Sequence, residues 1–170
     1  EKIELIKKCD KIFLCHSTLS NKKHLLKKDS EIHNQLNINL LSKVKICEIS
    51  LKYNPKARIV IIGSESGIKG SYDIVYALSK ASINKYVEER KIFKKGQQLI
   101  CIAPSTIVDG KMTLMRKDKN NVRKSINNNP KKRGIYAKEI SKLIYDLSFR
   151  NTDYITNTVI NINGGKFSRM

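Results

Sequence analysis

The sequence predicts an α/β fold in which a parallel sheet carries helices on both faces, and three observations support that expectation. Four short apolar runs recur along the 170 residues, and stretches with apolar residues at intervals of three and four separate them. The run Arg58-Ile59-Val60-Ile61-Ile62-Gly63 is apolar without alternation, the pattern of a strand covered on both sides. Strand and helix alternate to the end of the chain, which implies right-handed crossovers and a ligand site at the carboxyl ends of the strands.

Taken in order, Asp10-Lys11-Ile12-Phe13-Leu14-Cys15 reads as a buried strand ending at the polar loop Ser17 to Lys28. From Glu31 to Leu51, the residues Leu36, Leu40, Leu41, Val44, Cys47 and Leu51 recur at helical spacing, and Pro55 ends that region. The strand at Arg58 breaks into Gly63-Ser64-Glu65-Ser66-Gly67. A second long helix runs from Asp73 to Phe93 and stops near Gly96. Gln98-Leu99-Ile100-Cys101-Ile102-Ala103 is a third strand, closed by Pro104. Lys117 to Arg133 is basic and Asn-rich, so it reads as a flexible surface loop. Lys138 to Phe149 carries Ile140, Leu143, Ile144 and Leu147 at helical spacing, and Thr158-Val159-Ile160-Asn161-Ile162 is the last strand.

Composition fits one domain, residues 1–170, with an ordinary hydrophobic content of 40%. No apolar run reaches the roughly 20 residues of a membrane-spanning helix and no secretory signal is present, so the chain is expected to be soluble and cytoplasmic. Cys9, Cys15, Cys47 and Cys101 stand singly in or beside apolar segments, as buried thiols of a reducing compartment would. With His16, His24 and His33 they form no zinc-finger spacing, so no metal is expected. The net charge of +19 raises nucleic acid as a partner. The basic residues are scattered along the chain, however, and base-stacking aromatics are sparse at 6%, which argues against that partner.

Tyr76 and Lys80 lie four residues apart on the second long helix, so their side chains share a face. A lysine charge beside a phenol favours the phenolate, lowering the tyrosine from its usual value of about 10 toward the range of a proton-transfer group. Ser64 sits in a Gly-flanked loop after a buried strand, twelve residues before Tyr76, close enough for the two hydroxyls to converge.

Arg58 to Gly67 followed by Tyr76-Ala77-Leu78-Ser79-Lys80-Ala81 resembles the catalytic segment of the short-chain dehydrogenases/reductases. Ile102-Ala103-Pro104-Ser105-Thr106-Ile107-Val108 is similar to the stretch after that family's next strand. Ile160-Asn161-Ile162-Asn163-Gly164-Gly165 is similar to its last strand and closing glycines, and Asn37-Ile38-Asn39-Leu40 to the helix motif of its fourth catalytic residue. The resemblance implies a Rossmann-like doubly wound parallel sheet and an NAD- or NADP-dependent oxidoreductase acting on a carbonyl or hydroxyl group. It implies Tyr76 as general acid/base, with Lys80 lowering its pKa and holding the nicotinamide ribose. Ser64 would orient the substrate oxygen, and Asn39 would hold a water in the proton relay. Pro104, Ser105 and Ile107 would line the nicotinamide side of the cofactor site together with Tyr76 and Lys80.

The same comparison marks departures. The family opens with a Gly-rich phosphate-binding turn, whereas this chain has no glycine before Gly63, so the expected sheet lacks its N-terminal strands and that turn. Where the family shows Asn-Asn-Ala-Gly, this chain reads Cys15-His16-Ser17-Thr18, and Asp109 takes the place of the threonine that holds the nicotinamide amide. Two readings follow: the C-terminal catalytic part of a longer enzyme, or a truncated, non-catalytic domain used in binding or oligomerisation. Resemblance implies a homodimer or homotetramer through the helices around Leu40 to Leu51 and Ile83 to Val87. It also sets the basic segment Lys117 to Arg133 over the substrate, where it would either stay a solvated loop or receive an anionic substrate such as a nucleotide sugar.

Overall fold

The computed structural model describes residues 2–20 and 27–167; much of the expected loop Ser17 to Lys28, with His24, lies outside them. Among the described residues, β1 (Lys11–Leu14), β2 (Arg58–Ile62), β3 (Gln98–Pro104) and β4 (Thr158–Ile162) form one sheet in chain order, every neighbouring pair parallel. Arg58 stands opposite both Lys11 and Gln98, and Pro104 opposite Ile162, so the carboxyl ends of the strands open along one edge.

Alternation within each strand sends its side chains to two separate cores. Ile59, Ile61, Leu99 and Cys101 pack with Cys47 and Leu51 of α3 (Ser42–Tyr53) and with Ile83 and Val87 of α5 (Ile74–Glu89). On the other face, Val60, Ile100 and Ile102 pack with Ile140 and Leu147 of α8 (Ala137–Phe149). Each of these isoleucines is almost fully buried, worth about 1.5–3 kcal/mol of transfer free energy apiece.

Two faces and one strand order fix the hand of the connections. The chain always steps the same way across the sheet, but α3 and α5 cross one face and α8 the other. The last crossover therefore has the opposite hand from the first two, which corrects the expectation that all are right-handed.

The predicted helix from Glu31 to Leu51 is observed as α2 (Asp29–Leu36), a π-helical turn at Asn37–Leu41, and α3. The predicted helix from Asp73 to Phe93 is α5, whose N-terminus is capped by Asp73 accepting from the Tyr76 amide. Three short helices were not foreseen: α1 (Lys2–Lys8), α4 (Ser66–Lys69) and α6 (Lys111–Leu114). The segment read as a loop from Lys117 to Arg133 contains α7 (Lys119–Asn127). Asn129 is buried after it and donates to the Asn163 carbonyl at 2.9 Å, which ties this basic segment to the end of β4.

All four cysteines are free thiols, with Cys47 and Cys101 buried. Cys15 is exposed, against expectation, because it falls just past the end of β1 at the open edge of the sheet. No helix among the described residues is long and apolar enough to cross a membrane. No group of three or more His, Cys, Asp or Glu side chains among them is placed to hold a metal ion.

Candidate active site

At the carboxyl end of β2 the chain leaves the sheet still bonded to β3. The Gly63 amide donates to the Ile102 carbonyl at 2.7 Å, and the Glu65 amide to the Pro104 carbonyl at 2.9 Å. Between them Ser64 turns into α4, and its Oγ accepts from the Ser66 amide at 3.1 Å. Gly67 then lets α4 lie against the backbone of α5, since a Cβ at that position would stand 2.8 Å from the Lys80 carbonyl carbon. Ser64 and Tyr76 thereby line the same cleft. Lys80, one turn along α5, donates to the Ile62 carbonyl at 2.9 Å and sits 5.4 Å from the centre of the Tyr76 ring.

Ser64, Tyr76 and Lys80 thus line a cleft of about 440 Å³ whose opposite wall includes Pro104, Ser105, Thr106 and Ile107. Ser105 is held by its amide on the Ile162 carbonyl at 2.9 Å, and Ile107 forms a parallel bridge with Ile135. Asp109 has a structural task in this arrangement: its carboxylate accepts from the Ala137 amide at 2.9 Å, at the first residue of α8.

The electrostatics differ from the simple picture of a lysine lowering a tyrosine. Burial pushes the Tyr76 phenol above its ordinary value, outweighing the nearby Ser64 hydroxyl and the Arg116 charge that pull it down. Lys80 is itself nearly fully buried, and burial followed by the Lys43 charge lowers its ammonium to about 7. A cation that is only partly charged near neutrality, and that faces a backbone carbonyl, has little field left to stabilise a neighbouring phenolate.

Asn39 lies fully buried within the π-helical turn, a distortion often found at functional sites. Its Oδ1 accepts from the Thr18 amide at 2.8 Å and the Ser17 hydroxyl at 2.9 Å, and its Nδ2 donates to the Thr18 carbonyl at 2.9 Å. The side chain clamps the segment after β1, whereas Ser64, Tyr76 and Lys80 gather around the cleft.

Sequence reasoning missed three groups of residues here. Lys43 is fully buried below Lys80, and Arg116 reaches over the Tyr72 ring at 5.4 Å while paired with Asp118. Asp73, also fully buried, accepts from Gln35 at 2.7 Å and from the Ser20 amide at 2.9 Å, and forms an ion pair with Lys27. For Lys43 a signal existed: Asn39, Lys43 and Cys47 follow one another at four-residue spacing on the stripe that faces the sheet.

No protein-family model matches the sequence, and a search of the curated proteins finds no match. The fold matches most of the fold of the short-chain dehydrogenases/reductases. It is similar to a short chain dehydrogenase family protein from Francisella tularensis, with TM-score 0.82 at 22% identity over 97% of this chain and 74% of that one. A short-chain dehydrogenase/reductase from Serratia marcescens gives TM-score 0.83 at 16% identity, covering 98% and 71% of the two chains. Sorbitol-6-phosphate 2-dehydrogenase SrlD from Erwinia amylovora gives 0.77 at 16%, covering 92% and 69%. The chain thus corresponds to the greater part of each of these structures.

Proposed function

We propose that the chain carries the proton-transfer site of an NAD(P)-dependent oxidoreductase acting on a carbonyl or hydroxyl group. The observation that carries this reading is the convergence of Ser64, Tyr76 and Lys80 in the cleft at the carboxyl ends of β2 and β3. Three chemically distinct donors meet there on a fold whose strand ends are its usual binding edge.

Tyr76 is the proton donor in the reductive direction. A phenol held above its ordinary value by burial stays protonated at neutral pH, ready to protonate an oxygen as negative charge develops on it. Ser64, lining the same cleft as Tyr76, directs the substrate oxygen toward the same point and stabilises that charge. Arg116 adds positive potential from across the cleft.

The residues fit the nicotinamide side of a dinucleotide. Lys80 commits one N–H to the Ile62 carbonyl at 2.9 Å, and its remaining donors suit a ribose hydroxyl. Pro104, Ser105 and Ile107 supply an apolar and backbone-lined wall for the ring. When bound, the nicotinamide would supply or accept the hydride. Asn39 fixes the Ser17–Thr18 segment along the same edge.

The substrate is a small molecule, and an anionic one suits the cleft, since Lys69, Lys111 and Arg116 line it and Glu65 is its only carboxylate among the described residues. The phosphorylated sugar named for the Erwinia amylovora enzyme is of that class. Subunit pairing through the helical region from Leu40 to Leu51 and α5 as a dimer or tetramer is supported by the exposed apolar Leu41, in the π-helical turn, and Ile74 and Leu78 on α5.

The test is turnover of a carbonyl panel with NADH and NADPH, comparing the protein with Tyr76→Phe. A loss of about 10²- to 10⁴-fold supports the reading. Equal rates in the two proteins overturn it in favour of a binding or oligomerisation domain.

A further inference from the structure

Lys43 and Lys80 enter the same buried space from two helices. Lys43, on α3, donates to the Leu14 carbonyl at 3.3 Å and to the Ile62 carbonyl at 3.4 Å. Lys80, on α5, donates to that same Ile62 carbonyl at 2.9 Å. Residue Lys43 has no exposed surface and Lys80 has 1%. Among the described residues no carboxylate pairs with either amine. The other titratable groups facing the two are neutral thiols and rings: Cys15 and His16 after β1, Cys47 on α3, Cys101 on β3 and Tyr76 on α5.

We propose that Lys43 is a positioning residue that sets the charge of Lys80, the two amines holding fewer than two protons between them at neutral pH. The physical ground is direct. Two ammonium groups out of water, without a counter-charge and sharing one carbonyl, repel each other across a short, poorly screened distance. The least costly way to relieve that repulsion is to release a proton, so the pair titrates as a unit. Burial, followed by the Lys43 charge, brings Lys80 to about 7, and burial brings Lys43 to about 8.

The consequence for turnover rests on the oxidoreductase reading above. Lys80 holds a ribose hydroxyl and supports the tyrosine best as an ammonium, so Lys43 decides the pH at which that support fades. Removing the Lys43 charge leaves Lys80 protonated to higher pH.

The test follows the ε-carbon resonances of labelled lysines in the full chain by NMR from pH 5 to 11, without cofactor or substrate. Two midpoints well below that of an ordinary lysine are expected. In Lys43→Met the Lys80 midpoint rises by about one unit or more, and in Lys80→Met the Lys43 midpoint rises likewise. Midpoints at the ordinary lysine value, or midpoints unmoved by removal of the partner, overturn the proposal. Circular dichroism checks that each variant folds, and if Lys43→Met does not, the wild-type midpoints and the reciprocal variant decide. Where turnover is found, the alkaline limb of kcat/KM moves upward in Lys43→Met, and an unmoved limb overturns the role. Because the titration needs no activity, coupled lysines in a protein whose turnover Tyr76→Phe leaves unchanged would sink the oxidoreductase reading and leave the coupled pair standing.

Discussion

Tyr76 and Asp73 stand three residues apart at the start of α5 and do different work. Tyr76 faces Ser64 and the cleft; Asp73 caps the helix and gathers Gln35, Lys27 and the Ser20 amide around one buried carboxylate. Removing one member of a buried ion pair leaves the other charge uncompensated, so Asp73→Asn should cost about 3–5 kcal/mol by chemical denaturation. These hydrogen bonds hold the Asp73 carboxyl below its usual value despite burial. A group lowered on folding stabilises above its unfolded pKa and loses that contribution as pH falls through its folded one. Acid should therefore destabilise the wild-type chain below about pH 4 more steeply than Asp73→Asn, a difference a melting series from pH 6 to 2.5 would detect. The spacing of Tyr76 and Lys80 and the Gly-flanked position of Ser64 were legible in the sequence, because helical period and turn chemistry are local. The charge states were not, because burial and the approach of Lys43 set them.

At the scale of elements, boundaries of the four strands and three long helices follow closely from apolar periodicity and from Pro and Gly punctuation. The π-helical turn and the ordering of the basic segment do not, since a hydrogen bond to a distant part of the chain decides each. Asn39 is held in its turn by the Thr18 backbone, and Asn129 anchors the segment after α7 beside Gly164, whose φ of +65° already favours glycine. A Cβ on Gly164 would stand 2.4 Å from the Asn129 side-chain oxygen. Gly164→Ala should therefore cost about 1–3 kcal/mol and release the segment around α7, measured as lower stability and faster amide exchange from 119 to 133. Gly67→Ala should act at the site itself, because a Cβ there would displace α4 from the Lys80 backbone. The expected result is loss of turnover along with stability.

The whole molecule combines a buried basic pair with buried thiols and phenols, and these pull stability in opposite directions with pH. Lys43 and Lys80, lowered to about 8 and about 7, bind fewer protons folded than unfolded above their folded values, so stability rises with pH through that range. Cys47 and Cys101, raised by burial to about 12 and about 11, and Tyr86, raised further still, reverse the trend once the unfolded thiols and phenol begin to ionise. Thermal stability should peak near pH 9, and Lys43→Met should flatten the rise from pH 7 by circular dichroism. The chain carries no glycine before Gly63 to form a phosphate-binding turn, so the 170 residues alone should bind NADH and NADPH weakly, as fluorescence titration would report. By itself, the sequence determined the alternation of elements, the parallel sheet with helices on both faces, and the residues Ser64, Tyr76 and Lys80 as a set, since period, punctuation and spacing are written along the chain. Only the tertiary structure decided the hand of the last crossover, the burial that keeps Tyr76 protonated, and the meeting of Lys43 with Lys80 on one carbonyl. Those depend on which surfaces of separate helices close over the same strands, and on how far water is excluded when they do.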